Sequence, residues 1–343
     1  MKKILALLLI LLLVVAPLAA CNNGGGGGGA AANDPWDGGT IRIICPFGVG
    51  GTADAIARRF GAVAGDLFPQ FTFIVDNMTG GDGFLGASYF SELPVTTTDL
   101  LIFGYGVSYR HDLGRAYGTE VVDFDRHNIQ PVGVIDDRTW IVYANIGTTL
   151  EDILELGRTG RVRMSGGNPL SDPHLAFGSL LAGEGGDVIV IPFDGGALQR
   201  QALINNEVDV FIGTTQAGME EVEAGLIVPI LAINDRAFAG FVTPAGPIVV
   251  PAVAGPDRHP ALSADHYGSI LPAGGFIAVR RGADQAWIDM WIEIIQAVWA
   301  EPDFYEWMEE IMLNNFQLYG AAAEAHLEVA VARAMEAFRS LGG

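Results

Sequence analysis

The stretch CPFGVGGTADAIARRF, Cys45 to Phe60, decides the reading of the whole chain. It continues TIRIICPF (Thr40 to Phe47), an apolar and β-branched run that reads as a buried strand. Gly48, Gly50 and Gly51 then form a turn free to adopt angles closed to other residues. A helix follows, with Ile56, Phe60 and Val63 at i, i+4 and i+7 as its apolar face. The first N–H groups of such a helix have no intrahelical acceptor, and the helix dipole adds about half a positive charge there. An anion is the natural occupant, and carboxylate and phosphate both fit at this point.

Composition narrows the choice. The chain has 343 residues, half of them apolar, enough for two domains with large cores. Its formal net charge of −21 argues against nucleic acid and anionic membrane surfaces as partners. Lysine occurs only at Lys2 and Lys3, so the body of the chain holds no P-loop, Schiff-base or kinase-type lysine. A secreted hydrolase finds no support, since Gly-x-Ser-x-Gly and His-Glu-x-x-His are both missing from the sequence. The six histidines are scattered.

The N-terminus reads as a signal peptide over residues 1–20. Lys2 and Lys3 supply the positive region, and the apolar run from Ile4 to Ala16 is too short to span a bilayer comfortably. It ends Leu18-Ala19-Ala20-Cys21, which resembles the bacterial lipobox. Cleavage would leave Cys21 as a lipid-modified terminus; the alternative is an ordinary secretory signal with an incidental cysteine. Residues 21–37, with six consecutive glycines, read as a flexible tether without tertiary structure. The remaining cysteine, Cys45, reads as a small buried hydrophobe.

Beyond the opening unit, FTFIVDN (Phe71 to Asn77) is a second strand running into a glycine-dense turn and a helix beginning near Leu85. A third strand runs from Asp99 to Gly106. This alternation is that of a parallel α/β sheet, in which ligands bind at the carboxyl ends of the strands. Val107 to Gln130 is polar, with Tyr109, Arg110, His111, Asp112, Asp123, Asp125 and His127, and reads as a solvated surface loop. A second α/β series follows over about 132–232, inserted between 38–131 and 233–343 of the first lobe. Within it, MSGGNPLSDPHLAF (Met164 to Phe177) repeats the opening logic. A strand ends in Ser165-Gly166-Gly167, Ser171 offers a hydroxyl, and Asp172-Pro173 reads as N-cap and first helical residue. His174, in the first turn, reads as a packed histidine. Trp287, Trp291, Ile294 and Val298 form a helical stripe that reads as core.

These residues resemble those of the extracytoplasmic substrate-binding receptors of tripartite tricarboxylate transporters, the Bug-type receptors. The matching motifs are Pro46-Phe47, Gly50-Gly51-Thr52, Asp54 and Arg58; Asn77 to Gly83 with Gly86-Ala87; Ser171 to Leu175; and Ile191 to Gly196. They span about Ile41 to Leu313 in the family's order. The resemblance implies a two-lobed, periplasmic-binding-protein-like (Venus flytrap) α/β fold, each lobe a mostly parallel sheet flanked by helices. It implies a small carboxylate held by Phe47, Gly50, Gly51, Thr52 and Asp54 from one lobe, and by Ser165, Ser171, Asp172 and His174 from the other. Gly80, Gly81 and Gly83 would border the cleft, as would Asp194, Gly195 and Gly196. Asp54 fits a helix-stabilising role through its spacing to Arg58.

The same resemblance implies binding without catalysis, no cofactor or metal, a monomer, and membrane transporter subunits as partners; a signalling receptor is the alternative partner. Two departures matter. Asp194 stands where the family often has lysine, and Asp82 adds a second negative charge, so a monocarboxylate or dicarboxylate, or a ligand carrying an amine, fits better than a tricarboxylate. The loop from Gly167 to Ser171 also carries Pro169 and Leu170 where glycines are common.

Overall fold

Trp36 sits in a short turn, Pro35–Asp37, and packs its ring 5.7 Å from that of Phe68 and 6.4 Å from that of Phe71. The tether was expected to stay structureless through Asp37; burial of one aromatic ring anchors its last residues instead. The computed structural model describes residues 34–117, 125–193, 196–311, 313–315 and 317–342. The signal segment, Cys21, Asp194 and Gly195 lie outside the described residues, and so does the side chain of Asp82.

Two sheets organise the chain. The first contains β1 (Gly39–Cys45), β2 (Phe71–Asn77), β3 (Leu100–Gly104), β4 (Ile129–Asp137) and β12 (Gly274–Arg280), with a two-residue strand, Asn314–Asn315, at its edge. Its order is Asn314–Asn315, β4, β12, β3, β1, β2. The second contains β5 (Trp140–Asn145), β6 (Val162–Gly166), β7 (Val188–Pro192), β8 (Val210–Thr214) and β9 (Ile227–Ile233), in the order β7, β6, β8, β5, β9. In each sheet three strands run parallel, β2-β1-β3 and β7-β6-β8, as expected where strands alternate with helices. β12 runs antiparallel between β3 and β4, and β5 antiparallel between β8 and β9; β4, β5, β9 and β12 are the strands on either side of the passages between sheets. The chain leaves the first sheet after Asp137, enters the second at Trp140, and re-enters the first at Gly274. Between Ile233 and Gly274 a hairpin, β10 (Phe238–Thr243) and β11 (Gly246–Val250), sets Phe241 and Val250 into the second lobe's core.

The helices cover both faces. α1 (Thr52–Leu67) buries Ile56 and Phe60 on β1 and β2, with Val63 half-buried beside them. Phe60 then packs edge-on against Trp299 at 5.9 Å. Trp299 lies on α8 (Gln285–Ala300), which buries Trp291, Ile294 and Val298 beside it and half-buries Trp287. The aromatic stripe is core, as its spacing indicated.

The segment read as a solvated loop is a helix in its first half. α3 (Tyr105–Tyr117) follows β3 directly and buries Tyr105, Tyr109, Arg110, His111 and Leu113. Its polar residues are covered because the C-terminal helix, Ala321–Ser340, packs over it. Arg126 ties the two together by bonding Asp112 at 2.8 Å and Glu328 at 2.9 Å. Arg110 stacks 5.0 Å from the Phe84 ring and donates to the Gly106 carbonyl. Tertiary partners thus satisfy groups that look solvated in sequence. The same C-terminal helix also packs on Asp172–Gly183 of the second lobe, so it spans both lobes.

Candidate functional site

Parallel pairing of β1 and β2 sets Cys45 opposite Asn77, so both strands end at the same level. From there Asn77 Nδ2 donates to the Phe47 carbonyl at 3.0 Å and to Asp54 Oδ1 at 2.9 Å. Asp54 also accepts from the Gly50 N–H at 2.9 Å and from Arg58 at 2.9–3.0 Å, while Arg58 reaches Asn77 Oδ1 at 3.0 Å. Burial by itself pushes the Asp54 carboxyl up; hydrogen bonds from Arg58, Gly50 and Asn77 overcome this and hold it below the usual carboxylate range. Asp54 therefore spends its oxygens on shaping the turn. Gly50 completes that turn with φ of 81°, a conformation costly for any residue with a Cβ. Cys45 is buried beneath, and burial pushes its thiol up.

The product of this network is an open helix end. α1 begins at Thr52 with Gly51 as N-cap, and no side chain caps it. Its first-turn N–H groups are left for an outside acceptor. The Phe47 ring closes one side, in a space kept by glycine: a Cβ on Gly83, where φ is 98°, would stand 3.3 Å from that ring and 2.9 Å from Val107. Gly80 and Gly81 complete the neighbouring turn, also with positive φ.

The second lobe repeats the arrangement. β6 ends at Ser165 and Gly166, and a loop leads to α5 (Asp172–Gly183). The N-cap is Ser171, not Asp172 as the Asp-Pro pair suggested; Asp172 is the first helical residue and Pro173 the second. Ser171 makes no side-chain cap, and the buried hydroxyls of Ser165 and Ser171 have no hydrogen-bond partner among the described residues. Buried hydroxyls without partners are uncommon in folded proteins. His174 Nδ1 bonds the Pro169 carbonyl and braces the loop. Burial pushes its pKa down, so the ring is neutral at pH 7. Gly196 starts α6 (Gly196–Ile204) with open space around its Cα.

Two contacts bring these ends together. Thr52 Oγ1 lies 3.5 Å from Gln216 Oε1, just beyond β8. Asp172 places its carboxylate against Gly106 of α3. The carboxyl ends of both sheets therefore face one cleft. Nearby, Arg138 forms a two-pronged pair with the fully buried Asp136. Burial works against the Arg138 charge, and Asp136, with a smaller contribution from Asp172, outweighs it.

Asn77 enters the sequence reading only as the start of the Asn77–Gly83 motif, and Gly106, Trp140 and Gln216 do not enter it as site residues. Asn77 carried a signal, as a polar residue closing an apolar strand. The indole N–H of Trp140, which pairs with Thr214 across β5 and β8, is buried without a partner among the described residues, and only the fold reveals it.

This fold recurs among solved structures. Rpa4515 from R. palustris, solved with adipate, is 19% identical over 88% of this chain and 97% of its own, with a TM-score of 0.70. The periplasmic binding protein BugD is 18% identical over 88% and 97%, TM-score 0.70. MatC from Rhodopseudomonas palustris, solved with bound malate, is 16% identical over 88% and 98%, TM-score 0.69. The fold is thus the two-lobed one of Bug-type periplasmic binding proteins. No protein-family model matches the sequence, and no curated protein sequence does.

Proposed function

We propose that this chain is an extracytoplasmic solute-binding protein that closes two lobes on a small carboxylate and presents it to the membrane subunits of a tripartite tricarboxylate-type transporter. One observation carries the reading: two helix N-termini, at Thr52 and Asp172, are uncapped by any side chain, and contacts from Thr52 to Gln216 and from Asp172 to Gly106 join the lobes beside them. Each supplies about half a positive charge with N–H donors, and together they match one carboxylate without a lysine. The hydroxyls of Ser165 and Ser171 add donors from the second lobe. The relatives of this fold solved with adipate and malate support a carboxylate over a phosphate. Phe47, Gly51, Thr52, Ser165 and Ser171 are the contact residues in this reading, with Asp54 and His174 shaping the two turns.

The charge balance favours monocarboxylates and dicarboxylates. Arg58 and Arg138, the guanidinium groups beside the cleft, already hold Asp54 and Asp136, and Asp172 adds a negative charge. Binding rather than turnover is the activity. In this reading residues 1–20 direct export and a lipid on Cys21 holds the protein at the membrane. Among the described residues no helix is long and apolar enough to cross a membrane.

Calorimetry and thermal shift against adipate, malate, acetate and citrate test the proposal. A ligand at 100 times its dissociation constant adds about 2.7 kcal/mol of stability. Saturable binding of a mono- or dicarboxylate supports the reading. Citrate as the tightest ligand overturns the charge argument, and no binding of any small carboxylate overturns the whole.

A further inference from the structure

The hinge holds a feature that the inter-lobe cleft does not use. The two passages between sheets, at Arg138-Thr139 and at residues 270–272, enclose a cavity of about 110 Å³ together with Asn234 at the end of β9. The C-terminal helix closes it with His326 and Arg333, seven residues apart and so on one helical face. That volume holds several waters or one small polyatomic ion.

Its lining is cationic in an acidic protein. Many of the arginines pair with carboxylates, among them Arg42 with Asp99, Arg163 with Asp209, Arg200 with Glu221 and Arg281 with Glu324, while Arg59, Arg110 and Arg280 bond backbone carbonyls. Among the described residues Arg333 finds no carboxylate, and the hydrogen bond it makes is a long one, 3.4 Å to the Ile270 carbonyl. Arg138 gives Nε and Nη2 to Asp136, which leaves Nη1 without a partner among the described residues. Thr139 Oγ1 accepts from Asn234 Nδ2 at 3.0 Å, so its own O–H remains a donor. Burial, helped by the Arg333 charge, pushes the His326 pKa down and keeps that ring neutral. Asp136 pairs with the Arg138 guanidinium and Asp172 acts on it more weakly, whereas Arg333 has no carboxylate partner among the described residues.

We propose that this hinge cavity is a second binding site, for a small oxyanion of the phosphate or carboxylate type. Bound there, the anion accepts from Arg138 and Thr139 of one passage and from Arg333 of the C-terminal helix. It therefore ties together parts that must shift when the lobes open, and its occupancy is coupled to the lobe angle. The inference does not depend on the cleft's ligand.

Titration calorimetry at fixed ionic strength, with inorganic phosphate and acetate as separate probes, tests it. The intact protein is expected to bind at least one probe saturably. Arg333→Gln is expected to weaken that binding by about tenfold or more, the size of a lost charge-assisted hydrogen bond. Arg333 is an exposed residue, so its replacement is compatible with the fold; Thr139→Val, which removes the hydroxyl, should weaken the same probe. Tighter phosphate identifies an inorganic oxyanion, and tighter acetate a carboxylate. No saturable binding of either probe overturns the proposal. So does binding that survives Arg333→Gln and is lost in Ser171→Ala, which would place the ion in the cleft.

Discussion

The carboxylate of Asp172, in the first turn of a second-lobe helix, lies against Gly106, in the first turn of a first-lobe helix; a Cβ on Gly106 would stand 2.0 Å from Asp172 Oδ1. Glycine at this position is a condition for the lobes to approach this far. Gly106→Ala should therefore act on the closed arrangement while leaving each lobe folded. Overpacking of this kind costs about 1–3 kcal/mol, which corresponds to a loss of about five- to over a hundredfold in ligand affinity. Calorimetry reads the affinity, and small-angle scattering should show a larger radius of gyration in the presence of ligand. Unchanged affinity would mean that the contact does not govern closure.

Asp54 is the acceptor around which the first turn is built. Asp54→Asn removes the charge from bonds to Arg58 and Gly50 and sets an amide against the Asn77 amide. The expected loss is about 1.5–3 kcal/mol of unfolding free energy, read by urea denaturation. Ligand affinity should fall as well, since the Gly50–Thr52 backbone loses its brace. A variant that binds weakly with full stability would instead place Asp54 in direct contact with ligand.

Much of this turn was legible in sequence because strand, glycine turn and helix are consecutive. The Asp54–Arg58 pair is readable from i, i+4 spacing alone. The third member, Asn77, comes from the next strand, and its role depends on β1 and β2 ending flush. Legibility failed where distant parts decide. Arg110, His111 and Asp112 look like surface residues until the C-terminal helix covers them and Arg126 pairs with Asp112. The Ser171/Asp172 exchange at the N-cap is a one-residue difference that Asp-Pro chemistry does not resolve. The hairpin from Phe238 to Val250 hid in a Pro/Gly-rich stretch, although Phe241 and Val250 are core. One missed helix did carry its signal: Thr149 and Asp152 form a capping box before Leu150–Thr159.

Ser171 and Ser165 separate binding from folding. Neither hydroxyl has an internal partner among the described residues, so replacing either with alanine removes no hydrogen bond of the unliganded fold. Stability of Ser171→Ala should stay within about 0.5 kcal/mol of the parent or rise slightly. Affinity for the carboxylate should drop about tenfold, the worth of one lost hydrogen bond to a charged acceptor. Equal affinity in Ser171→Ala and Ser165→Ala would remove both from the site.

Gly51 tests the first lobe in the same way. Its φ of −79° suits any residue, and it is exposed, so a side chain there is compatible with the fold. Gly51→Leu should cover the open end of α1 and abolish measurable binding, with the melting temperature nearly unchanged. Gly51→Ala, whose Cβ meets only the Gly48 carbonyl at 3.3 Å, should bind with a smaller loss. Full affinity in Gly51→Leu would take the Thr52 helix end out of the reading.

Stability should fall in two steps as the solution is acidified. His174, His259 and His326 have pKa values pushed down by burial, so the unfolded chain takes up their protons first. Their contribution is complete above the ordinary histidine value of about 6.5 and is lost as pH falls from there through the lowered values of the folded state. Asp112 supplies a second step. Burial pushes its carboxyl up, but His111 and Arg126 overcome that and hold it at about 2. Its contribution is complete above the unfolded value of about 4 and disappears between there and pH 2. Asp112→Asn should cost up to about 2 kcal/mol at pH 7 and flatten the lower step while leaving the upper one in place. Denaturant melts from pH 8 to 2 would show both; a single step near pH 4 that persists in Asp112→Asn would assign the acid sensitivity to other carboxylates.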